Sequence, residues 1–498
     1  MVITIIAYAL ASFVVYSSAH PVHVDPLTQT FRDGANRTLL WHGVNFVEKS
    51  APFYPNISAE TVSDLRAIGA NVVRLGVMMP GLFPTADGVP SDAYLSHIEA
   101  AIDLLWESGV ATIIDLHQDV LGPAVCGEGC PDWIVGNVSA LGALPIPQPL
   151  SFNKSVAGSC GAVGPLKFIG WSELYLTDAC GKAFQRVFDG EGTLGAMFEK
   201  YWATVSARLA GRPGVLLYEM MNEPWVGDHV SRPALLLQQG LAEQRTVGPW
   251  MRKMHETIRR FDPSTPVLFS PAEVNNRLMR PVGYENGFLG DPRGTAMAFH
   301  TYCVIGTDAA GPVGMFQKAL CHTNDGLQLS RRVEDLARLR TAGFVTEFGG
   351  VSDSDTGRAE VRHVASILDG AAPGNGSKGR RHPLSWTFWS GVPASSAYRR
   401  EIARSFPKAT AGHIQALSFD AGTGLFELRF SPSPGGGQTE IVLATDLHYA
   451  AGFETATDPT GCCSVERTAD GIAVNVSAAV AALTSSITIR VSRVENDI

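Results

Sequence analysis

The sequence has few charged residues and no cluster of lysine and arginine. Only 17% of the 498 residues are charged, and the formal net charge is -9. A nucleic-acid-binding protein needs a basic surface to neutralise phosphates, and the basic segment at residues 379–382 is too short to form one. The composition therefore argues against a nucleic-acid partner.

Beyond its first residues, the sequence also lacks an apolar run long enough to span a bilayer. The run at residues 2–15 has about 14 residues, whereas a membrane-spanning helix needs about 20. It is followed by Tyr16-Ser17-Ser18-Ala19, which is typical of a secretory signal peptide, here residues 1–19, cleaved after Ala19. No Lys or Arg precedes the run, so an uncleaved anchor is the alternative.

Asn-x-Ser/Thr sequons support entry into the secretory route of a eukaryotic cell. They lie at Asn36, Asn56, Asn137, Asn153, Asn375 and Asn475. We therefore predict a secreted or lumenal protein. An acidic organelle and the cell exterior are both open as destinations.

Eight cysteines fit an oxidising compartment, in which up to four disulfides could form. Local spacing favours two pairings, Cys303 with Cys321 and Cys160 with Cys180. A zinc site is disfavoured, because the spacing Cys126-Gly-Glu-Gly-Cys130 has no second pair and no histidine at metal-ligand distance. We expect neither a metal nor a cofactor.

Hydrophobic residues make up 45% of the chain, which also has 51 glycines and 30 prolines, as is typical of a globular, loop-rich protein. Short apolar runs alternate with amphipathic stretches, the pattern of parallel strands joined by helices. The strand-like runs are residues 39–44, 71–75, 111–116, 215–221, 266–270, 296–302, 343–347 and 384–389. Helical periodicity lies between several of them, at residues 59–68, 92–108, 195–209, 249–260 and 333–341. Eight such units predict an α/β fold, a TIM barrel over residues 20–408.

The pattern changes near the C-terminus. From residue 413, short alternating runs are separated by Gly and Pro turns, without helical stretches. This predicts a small antiparallel β-sandwich, which we assign to residues 409–498 with a boundary near residues 406–411. Packing against the barrel is the simplest role for this domain, and binding of sugar or lipid is the alternative.

Two of the apolar runs are followed by a glutamate. The first reads LLYEMMNEPW and contains Glu223, and the second ends in Thr346-Glu347-Phe348-Gly349. A retaining glycosidase uses one carboxylic acid to protonate the leaving oxygen and a carboxylate about 5 Å away to attack the anomeric carbon. Glu223 and Glu347 are the candidate pair. The alternative, a helix cap or a surface residue beside a turn, fits a lone glutamate better than two at strand ends.

Polar and aromatic residues end most of the other predicted strands. In a TIM barrel the C-terminal ends of the strands meet on one face, where catalytic groups lie. Stability alone does not explain such a row of residues. Its members are Asn45, Arg74, Asp115, His117, Asn222, His300, Tyr302, Trp386 and Trp389.

Several motifs resemble those of the endoglycoceramidase group of glycoside hydrolase family 5. Asn222-Glu223-Pro224 marks the wider family, which includes cellulases and mannanases. The segments KSAPFYP from Lys49 and DLHQDV from Asp115 are narrower and point to the glycolipid-cleaving branch. The resemblance covers most of the chain, including the C-terminal sandwich. It implies hydrolysis of the β-glucosidic bond between a glycan and ceramide, with retention and without a cofactor.

The resemblance also implies roles for the two glutamates and their neighbours. Glu223 is expected to be the acid and then the base, with its pKa raised by burial or by a neighbouring negative charge. Glu347 is expected to be the ionised nucleophile, held by Arg74 and Tyr302. Asn222 is expected to donate to the sugar 2-hydroxyl.

Further sugar contacts are expected from Asp115, His117 and His300, with a stacking surface from Trp386 or Trp389. For the histidines the alternative is a structural hydrogen bond. Lys49 is expected to contact polar substrate atoms, and for this residue a solvated surface position is the alternative.

The expected partner is a glycosphingolipid, met at a membrane surface or in a micelle. Its ceramide needs an apolar groove, and the leucines of residues 233–237 are candidates, with burial inside a helix as the alternative. Two long segments, residues 136–170 and 304–328, are expected to reshape the glycan subsites. The alternative functions are hydrolysis of another β-glucoside, such as glucosylceramide, a sterol glucoside or a polysaccharide, and non-catalytic glycolipid binding.

Overall fold

The computed structural model describes residues 22–136, 151–154, 160–163, 171–302, 315–370 and 382–494. The predicted signal peptide lies outside these ranges, as do Asn137, Cys303 and Asn375. The strands are β1 (His23–Asp25), β2 (Thr30–Arg32), β3 (Thr38–Leu39), β4 (His42–Phe46), β5 (Val72–Gly76), β6 (Ala111–Asp115), β7 (Ser151–Lys154), β8 (Cys160–Val163), β9 (Val215–Glu219), β10 (Val267–Phe269), β11 (Thr295–Thr301), β12 (Gly343–Gly349), β13 (Ser385–Trp389), β14 (Phe406–Thr410), β15 (Gly412–Phe419), β16 (Phe426–Pro432), β17 (Gln438–Val442), β18 (Phe453–Asp458), β19 (Cys463–Thr468), β20 (Gly471–Val476) and β21 (Ile487–Arg493).

The α-helices are α1 (Ala59–Ala67), α2 (Met79–Leu82), α3 (Asp92–Glu107), α4 (Asp132–Val135), α5 (Asp178–Asp189), α6 (Gly192–Leu209), α7 (Ala234–Leu237), α8 (Gly248–Phe261), α9 (Glu273–Arg277), α10 (Met315–Leu339), α11 (Asp355–Leu368), α12 (Ser396–Ile402), α13 (Thr445–His448) and α14 (Ala478–Leu483). Short 3-10 segments span Pro123–Val125 and Trp171–Leu176, and a π-helical turn, Glu243–Val247, leads into α8.

Eight parallel strands close into a barrel in the order β4-β5-β6-β9-β10-β11-β12-β13, and β13 pairs back to β4. The predicted TIM barrel is confirmed, since each predicted run overlaps one of these strands. All residues of β5, β6, β10 and β11 are buried, because packed side chains fill the inside of such a barrel and helices cover the outside.

Serine side chains fix the starts of two of the predicted helices. The Ser58 hydroxyl accepts a hydrogen bond from the backbone N–H of Thr61 at the start of α1, and Ser91 accepts one from Tyr94 at the start of α3. The predicted helices at residues 59–68, 92–108, 195–209 and 249–260 correspond to α1, α3, α6 and α8.

The first three strands lie outside the barrel. They form an antiparallel sheet with four C-terminal strands, in the order β1-β2-β3-β14-β17-β20-β19. The run predicted as the first barrel strand, residues 39–44, is therefore split, since Leu39 ends β3 and His42 begins β4. Hydrophobic periodicity could not separate these strands because both are apolar and follow each other directly.

The β1-β2 hairpin covers the N-terminal end of the barrel. The Phe31 ring packs edge-on against Trp41, with ring centroids 5.2 Å apart, and against Phe344 at 6.3 Å. The backbone N–H of Val24 donates to the Arg293 carbonyl at 2.8 Å. Apolar packing thus closes this end, and functional side chains are expected at the opposite end.

The C-terminal part of the chain forms the predicted antiparallel sandwich. A four-stranded sheet, β15-β16-β21-β18, packs against the seven-stranded sheet through a core that includes Phe406, Ile414, Phe426 and Ile441. The predicted division between residues 408 and 409 falls inside β14, which already belongs to the seven-stranded sheet from Phe406 onward.

The two long segments predicted near the active site differ from simple loops. Helix α10 begins at Met315, so half of the segment at residues 304–328 is helical, and the predicted helix at residues 333–341 is only its last part. Between residues 136 and 170, the described residues form the antiparallel β7-β8 hairpin. Residues 137–150, 155–159, 164–170 and 303–314 lie outside the described residues, so the effect of both segments on glycan subsites stays a prediction.

One of the two predicted cysteine pairings is wrong. Cys180 has a free thiol and is buried among apolar residues at the start of α5, so it does not pair with Cys160. Spacing along the chain could not show that the helix directs this thiol into the core. Cys126 and Cys321 are each disulfide-bonded. Cys303, the predicted partner of Cys321, lies outside the described residues.

Within the described ranges, none of the helices combines the length and the apolar character that crossing a membrane requires.

A buried ion pair connects the sandwich to the barrel. Arg404 Nε donates to Asp369 Oδ2 at 2.8 Å, and both side chains are almost completely buried. The same guanidinium donates through Nη2 to the Phe419 carbonyl at 2.7 Å, so it joins the end of α11 to strand β15. Removing one partner of such a pair leaves an uncompensated charge in the interior.

We expect Arg404→Met to lower the free energy of unfolding by about 3–5 kcal/mol, because it leaves Asp369 buried and unpaired. Arg490→Met is the matched control, since Arg490 pairs with Glu427 at 2.9 Å on a half-exposed surface, where a loss of less than about 1 kcal/mol is expected. Denaturant unfolding of both variants checks this. Equal losses would contradict the assigned role of the buried pair.

Candidate active site

The C-terminal face of the barrel brings Glu223 and Glu347 together. Glu347 lies within β12, and Glu223 follows β9. A carboxylate oxygen of each lies within 4.8 Å of the other and of a ring nitrogen of His300. This separation is close to the value of about 5 Å that double displacement through a covalent intermediate requires, and it is too short for the roughly 6.5–9.5 Å of an inverting pair.

Glu347 is held at both of its oxygens. Arg74 Nη1 donates to Oε1 at 2.7 Å, and the Tyr302 hydroxyl donates to Oε2 at 2.7 Å. The carboxylate is only 5% exposed. Hydrogen bonds to both oxygens orient the carboxylate.

Arg74 is the centre of the network beneath the two glutamates. It is completely buried in β5. Burial lowers the pKa of its guanidinium, but the charges of Asp115, Glu219 and Glu347 raise the pKa well above its ordinary value. The guanidinium therefore stays charged. Its contacts are Asn45 Oδ1 at 3.0 Å, Asp115 Oδ1 at 3.1 Å, Glu219 Oε2 at 2.6 Å and Asn222 Oδ1 at 2.9 Å.

Glu223 lies between two cationic groups. His300 Nδ1 is 2.8 Å from Glu223 Oε1, and Arg277 Nη2 is 3.9 Å from Oε2. Burial raises the pKa of Glu223, but the hydrogen bond and charge of His300, with the charge of Arg277, hold the pKa below its ordinary value. The expected raised pKa is therefore wrong, because the expectation considered negative neighbours and not these cations.

The backbone at Glu223 is strained. Its φ of 40° lies in the left-handed region that non-glycine residues rarely adopt. Gln118 Nε2 donates to the carbonyls of Asn222 and Glu223, at 2.6 and 3.1 Å. These bonds hold the turn that directs the Glu223 side chain toward Glu347.

A chain of charged groups connects the third barrel strand to the first. His117 Nδ1 is 2.7 Å from Asp115 Oδ2, and its Nε2 is 3.0 Å from Asp119 Oδ2. Burial lowers the pKa of His117, but Asp119 and Asp115 raise it to about 9, so the imidazole is protonated at neutral pH. Lys49 Nζ contacts Asp119 and lies 2.9 Å from Glu128 Oε1.

This network changes the expectation for two residues. Asp115 is completely buried and its oxygens face Arg74 and His117, so the predicted contact with sugar is wrong for this residue. His117 is 1% exposed, and both of its ring nitrogens face carboxylates. Its ring stacks on Trp389, and its predicted contact with sugar stays a prediction. Lys49 is a quarter exposed and ion-paired, which differs from the alternative of a freely solvated lysine.

Trp389 forms the aromatic surface at the site. Its ring stacks on His117 with centroids 5.5 Å apart and an interplanar angle of 10°, and Lys49 Nζ lies 5.1 Å from its centre. Trp386 lies elsewhere. It pairs with His42 at the N-terminal end of β4, and its ring stacks on that imidazole at 4.2 Å. Only two residues of β13 thus separate a structural tryptophan from one at the active site.

One group of side chains could offer donor atoms to a metal ion. Among the residues that the structure describes, only Glu223, His300 and Glu347 bring three such atoms within 4.8 Å of one another. Hydrogen bonds from Arg74, Tyr302 and His300 already engage the carboxylate oxygens. The expectation of a metal-free reaction stays a prediction.

Comparison with known proteins identifies the family. The profile of "Cellulase (glycosyl hydrolase family 5)" matches residues 33–395, and that of the "Glycoside hydrolase family 5 C-terminal domain" matches residues 404–491. The chain belongs to glycoside hydrolase family 5.

This family 5 hydrolase is similar along most of its length to two cnidarian proteins named endoglycoceramidase. The one from Cyanea nozakii is 26% identical, with 93% of this chain and 92% of that protein aligned. The one from Hydra vulgaris is 27% identical, with coverages of 92% and 87%. A similar solved structure is endo-glycoceramidase II from Rhodococcus sp. in complex with ganglioside GM3, with a TM-score of 0.72, 19% identity, and 94% of this chain and 99% of that chain covered.

The hydrolase brings together most of the residues predicted from its sequence. Those that meet around the two glutamates are Lys49, Arg74, Asp115, His117, Asn222, His300, Tyr302 and Trp389. Trp386 is not among them. The assigned catalytic roles stay predictions.

Sequence reasoning missed several partners in the site. Asp119 lies two positions after His117, and Glu128 lies farther along the chain and shares Lys49 with it. Glu219 is the last residue of β9 and supports Arg74. Glu273 and Arg277 follow β10, the one barrel strand to which no candidate was assigned. Their spacing of four residues was the available signal, because it places oppositely charged side chains on one face of a helix.

The leucines after Glu223 divide between the core and the surface. Leu235 is buried, whereas Leu237 is 69% exposed. Leu278, which follows Arg277, is 50% exposed. Arg280 joins these loops by donating from Nη1 to the Leu236 carbonyl at 2.9 Å. We call Leu237 and Leu278 the acid-side leucines.

We expect Trp389→Ala to lower kcat/KM by about 10- to 100-fold, because it removes the ring on which a sugar would stack. Trp386→Phe is the matched control and should lower the thermal midpoint without changing KM. Steady-state kinetics and thermal unfolding of both variants separate the roles. A rise in KM for Trp386→Phe with normal kinetics for Trp389→Ala would reverse the assignment.

Proposed function

We propose that this family 5 hydrolase cleaves the β-glucosidic bond between a glycan and ceramide, with retention of configuration. The observation that carries the proposal is similarity to proteins named endoglycoceramidase over about nine-tenths of the chain, through both barrel and sandwich. The short separation of Glu223 and Glu347 supports a double displacement.

In the first step Glu347 attacks the anomeric carbon, and the bond to the ceramide oxygen breaks. Arg74 and Tyr302 orient the attacking carboxylate. Glu223 gives a proton to the departing oxygen, which leaves as the ceramide hydroxyl, and Glu347 holds the glycan as an ester.

In the second step water replaces ceramide. Glu223, now ionised, takes a proton from the water, whose oxygen attacks the anomeric carbon and displaces Glu347. Two inversions give net retention. The Nδ2 of Asn222 donates one hydrogen to the Gln118 carbonyl at 2.9 Å, and its other contact, with Asp119 Oδ1, is long at 3.4 Å, so the second hydrogen can turn to the sugar 2-hydroxyl.

The proton of the first step is held by the pair Glu223 and His300. Burial lowers the pKa of His300, but Glu347 and Glu223 raise it to about 9, so the free enzyme holds a proton on the imidazole. A protonated His300 with ionised Glu223 has the same total charge as neutral His300 with protonated Glu223. Substrate that excludes water favours the neutral arrangement, because ions are costly to bury, and the proton moves to Glu223.

The acid-side leucines support a lipid leaving group. Leu278 follows Arg277, which approaches Glu223, and Leu237 lies on the neighbouring loop after β9. Exposed leucines on the segments that follow β9 and β10 suit an apolar aglycone and contact with a micelle or membrane surface. A soluble polysaccharide would not require them.

We also propose that the chain passes through the secretory pathway and is secreted or lumenal. Residues 1–19 have the pattern of a signal peptide. Asn36 and Asn56 lie in sequons and are exposed, as glycosylation requires. The disulfide-bonded Cys126 and Cys321 fit an oxidising compartment.

Mass spectrometry of products tests the substrate. Purified protein is incubated with gangliosides, lactosylceramide and glucosylceramide in mild detergent, at acidic and neutral pH. We expect intact oligosaccharide and ceramide, and no products with Glu347→Gln. Absence of cleavage, together with turnover of a soluble β-glucan or a sterol glucoside, would overturn the glycolipid proposal and keep the family assignment.

The acid-side leucines give a second test. We expect Leu237→Ser with Leu278→Ser to lower kcat/KM on a vesicle-embedded glycolipid by about tenfold, and to leave a soluble aryl glycoside unaffected. The matched control is Leu27→Ser with Leu483→Ser, which changes leucines that are 84% and 89% exposed away from the site. Equal behaviour of the two double variants on vesicles would argue against a lipid-facing role.

A further inference from the structure

Beside the acid glutamate lies a second carboxylate that the proposed reaction does not use. Glu273, at the start of α9, is 5% exposed, and its Oε1 accepts a hydrogen bond from Arg277 Nε at 2.8 Å. The same arginine extends Nη2 to 3.9 Å from Glu223 Oε2. One guanidinium therefore lies between two buried carboxylates.

Helix α9 is attached to both members of the acid pair. The backbone N–H of Glu273 donates to the carbonyl of Pro224, the residue after Glu223, at 2.9 Å. Asn276 Nδ2 donates to the His300 carbonyl at 3.0 Å. These bonds fix the position of Glu273 and Arg277 relative to Glu223 and His300.

His300 and Arg277 interact with different carboxylate oxygens of Glu223. His300 contacts Oε1, and Arg277 approaches Oε2. Since His300 supplies the proton, Arg277 controls how strongly the ionised carboxylate is stabilised on its other side. That control depends on whether Glu273 compensates the charge of Arg277.

We propose that Glu273 and Arg277 are positioning residues that keep the charge beside Glu223 constant while Glu223 alternates between acid and base. While Glu223 holds its proton, Arg277 is paired with ionised Glu273. When Glu223 is ionised, as in the free enzyme, Arg277 interacts with both carboxylates, and Glu273 can take a proton. The inference rests on the proposed acid role of Glu223.

The electrostatics around Glu273 agree with this alternation. Burial and the charge of Glu223 raise the pKa of Glu273 to about 7, while Arg277 and His300 lower it. The buried Arg332 also interacts electrostatically with Glu273. Because the charge of Glu223 raises the pKa of Glu273, neutralising either carboxylate favours ionisation of the other.

The groups that face Glu223 define the expected sign. His300 and Arg277 lower the pKa of Glu223, and Asp119 raises it. Glu223→Ala defines the acid step, because the loss should be large for an alkyl lactoside and small for a nitrophenyl lactoside, whose leaving group does not need the proton.

We expect Glu273→Gln to move the basic limb of the kcat/KM profile for the alkyl lactoside to lower pH by about one unit. The variant leaves Arg277 uncompensated, which lowers the pKa of Glu223. Arg277→Gln should move the limb to higher pH, because the remaining carboxylate disfavours ionised Glu223. The double variant Glu273→Gln with Arg277→Gln restores the net charge and should return the limb toward its original position.

If Glu273 and Arg277 only stabilised the fold, the two single variants would not shift the basic limb in opposite directions. The double variant would also not return the limb to its original position. Asp178→Asn and Lys182→Gln are the matched controls, since this pair has the same spacing of four residues on α5 with a 2.7 Å contact. Neither should move the limb. Thermal midpoints verify that each variant is folded.

Shifts of the same sign for Glu273→Gln and Arg277→Gln, or a folded double variant without restoration, would overturn the inference. Equal losses on both lactosides for Glu223→Ala would instead remove Glu223 from the acid role. Should the enzyme accept neither lactoside, carbon-13 NMR titration of the Glu223 carboxyl in the same variants reads the shift without substrate. Unchanged titration in Glu273→Gln would then overturn the inference.

Discussion

The buried guanidinium of Arg74 is the interaction on which the site depends. A cation inside a barrel is costly to bury, and carboxylates from strands β6, β9 and β12 compensate it. The same cation donates a hydrogen bond to the nearly buried carboxylate of Glu347. The remaining hydrogen bonds of Arg74 go to Asn45 and Asn222, and they fix the positions of these side chains at the neighbouring strand ends. Arg74 therefore both orients the carboxylate of Glu347 and places a positive charge beside it.

The two glutamates differ in what surrounds them. Glu347 contacts a cation that stays charged and a tyrosine hydroxyl, so its surroundings are fixed. Glu223 contacts His300, which can exchange a proton, and Arg277, whose charge Glu273 also shares. A nucleophile benefits from constant electrostatics, whereas an acid that becomes a base needs surroundings that respond to its protonation.

Much of the barrel and the central pair could be predicted from the sequence, because buried parallel strands are apolar runs and their polar ends share one face. The sequence pattern could not show which residues within one apolar run face the active site. Trp386 and Trp389 lie on one strand, and only the register of β13 with β4 shows that the first stacks on His42. The pKa direction of Glu223 depends on His300 and Arg277, which reach it from β11 and α9. Contacts of that kind follow from tertiary packing and leave little trace in local periodicity.

The placement of the first three strands in the C-terminal sheet has a consequence for how the chain folds during synthesis. Thr38 Oγ1 donates to the Gly412 carbonyl across a separation of 374 residues. A ribosome releases β1, β2 and β3 long before the strands that complete their sheet exist. Phe344, against which Phe31 packs, belongs to β12 and is also synthesised late, so β1, β2 and β3 lack both their sheet partners and the barrel end for most of translation. The nascent chain therefore carries an aggregation-prone strand edge until β14 pairs with β3.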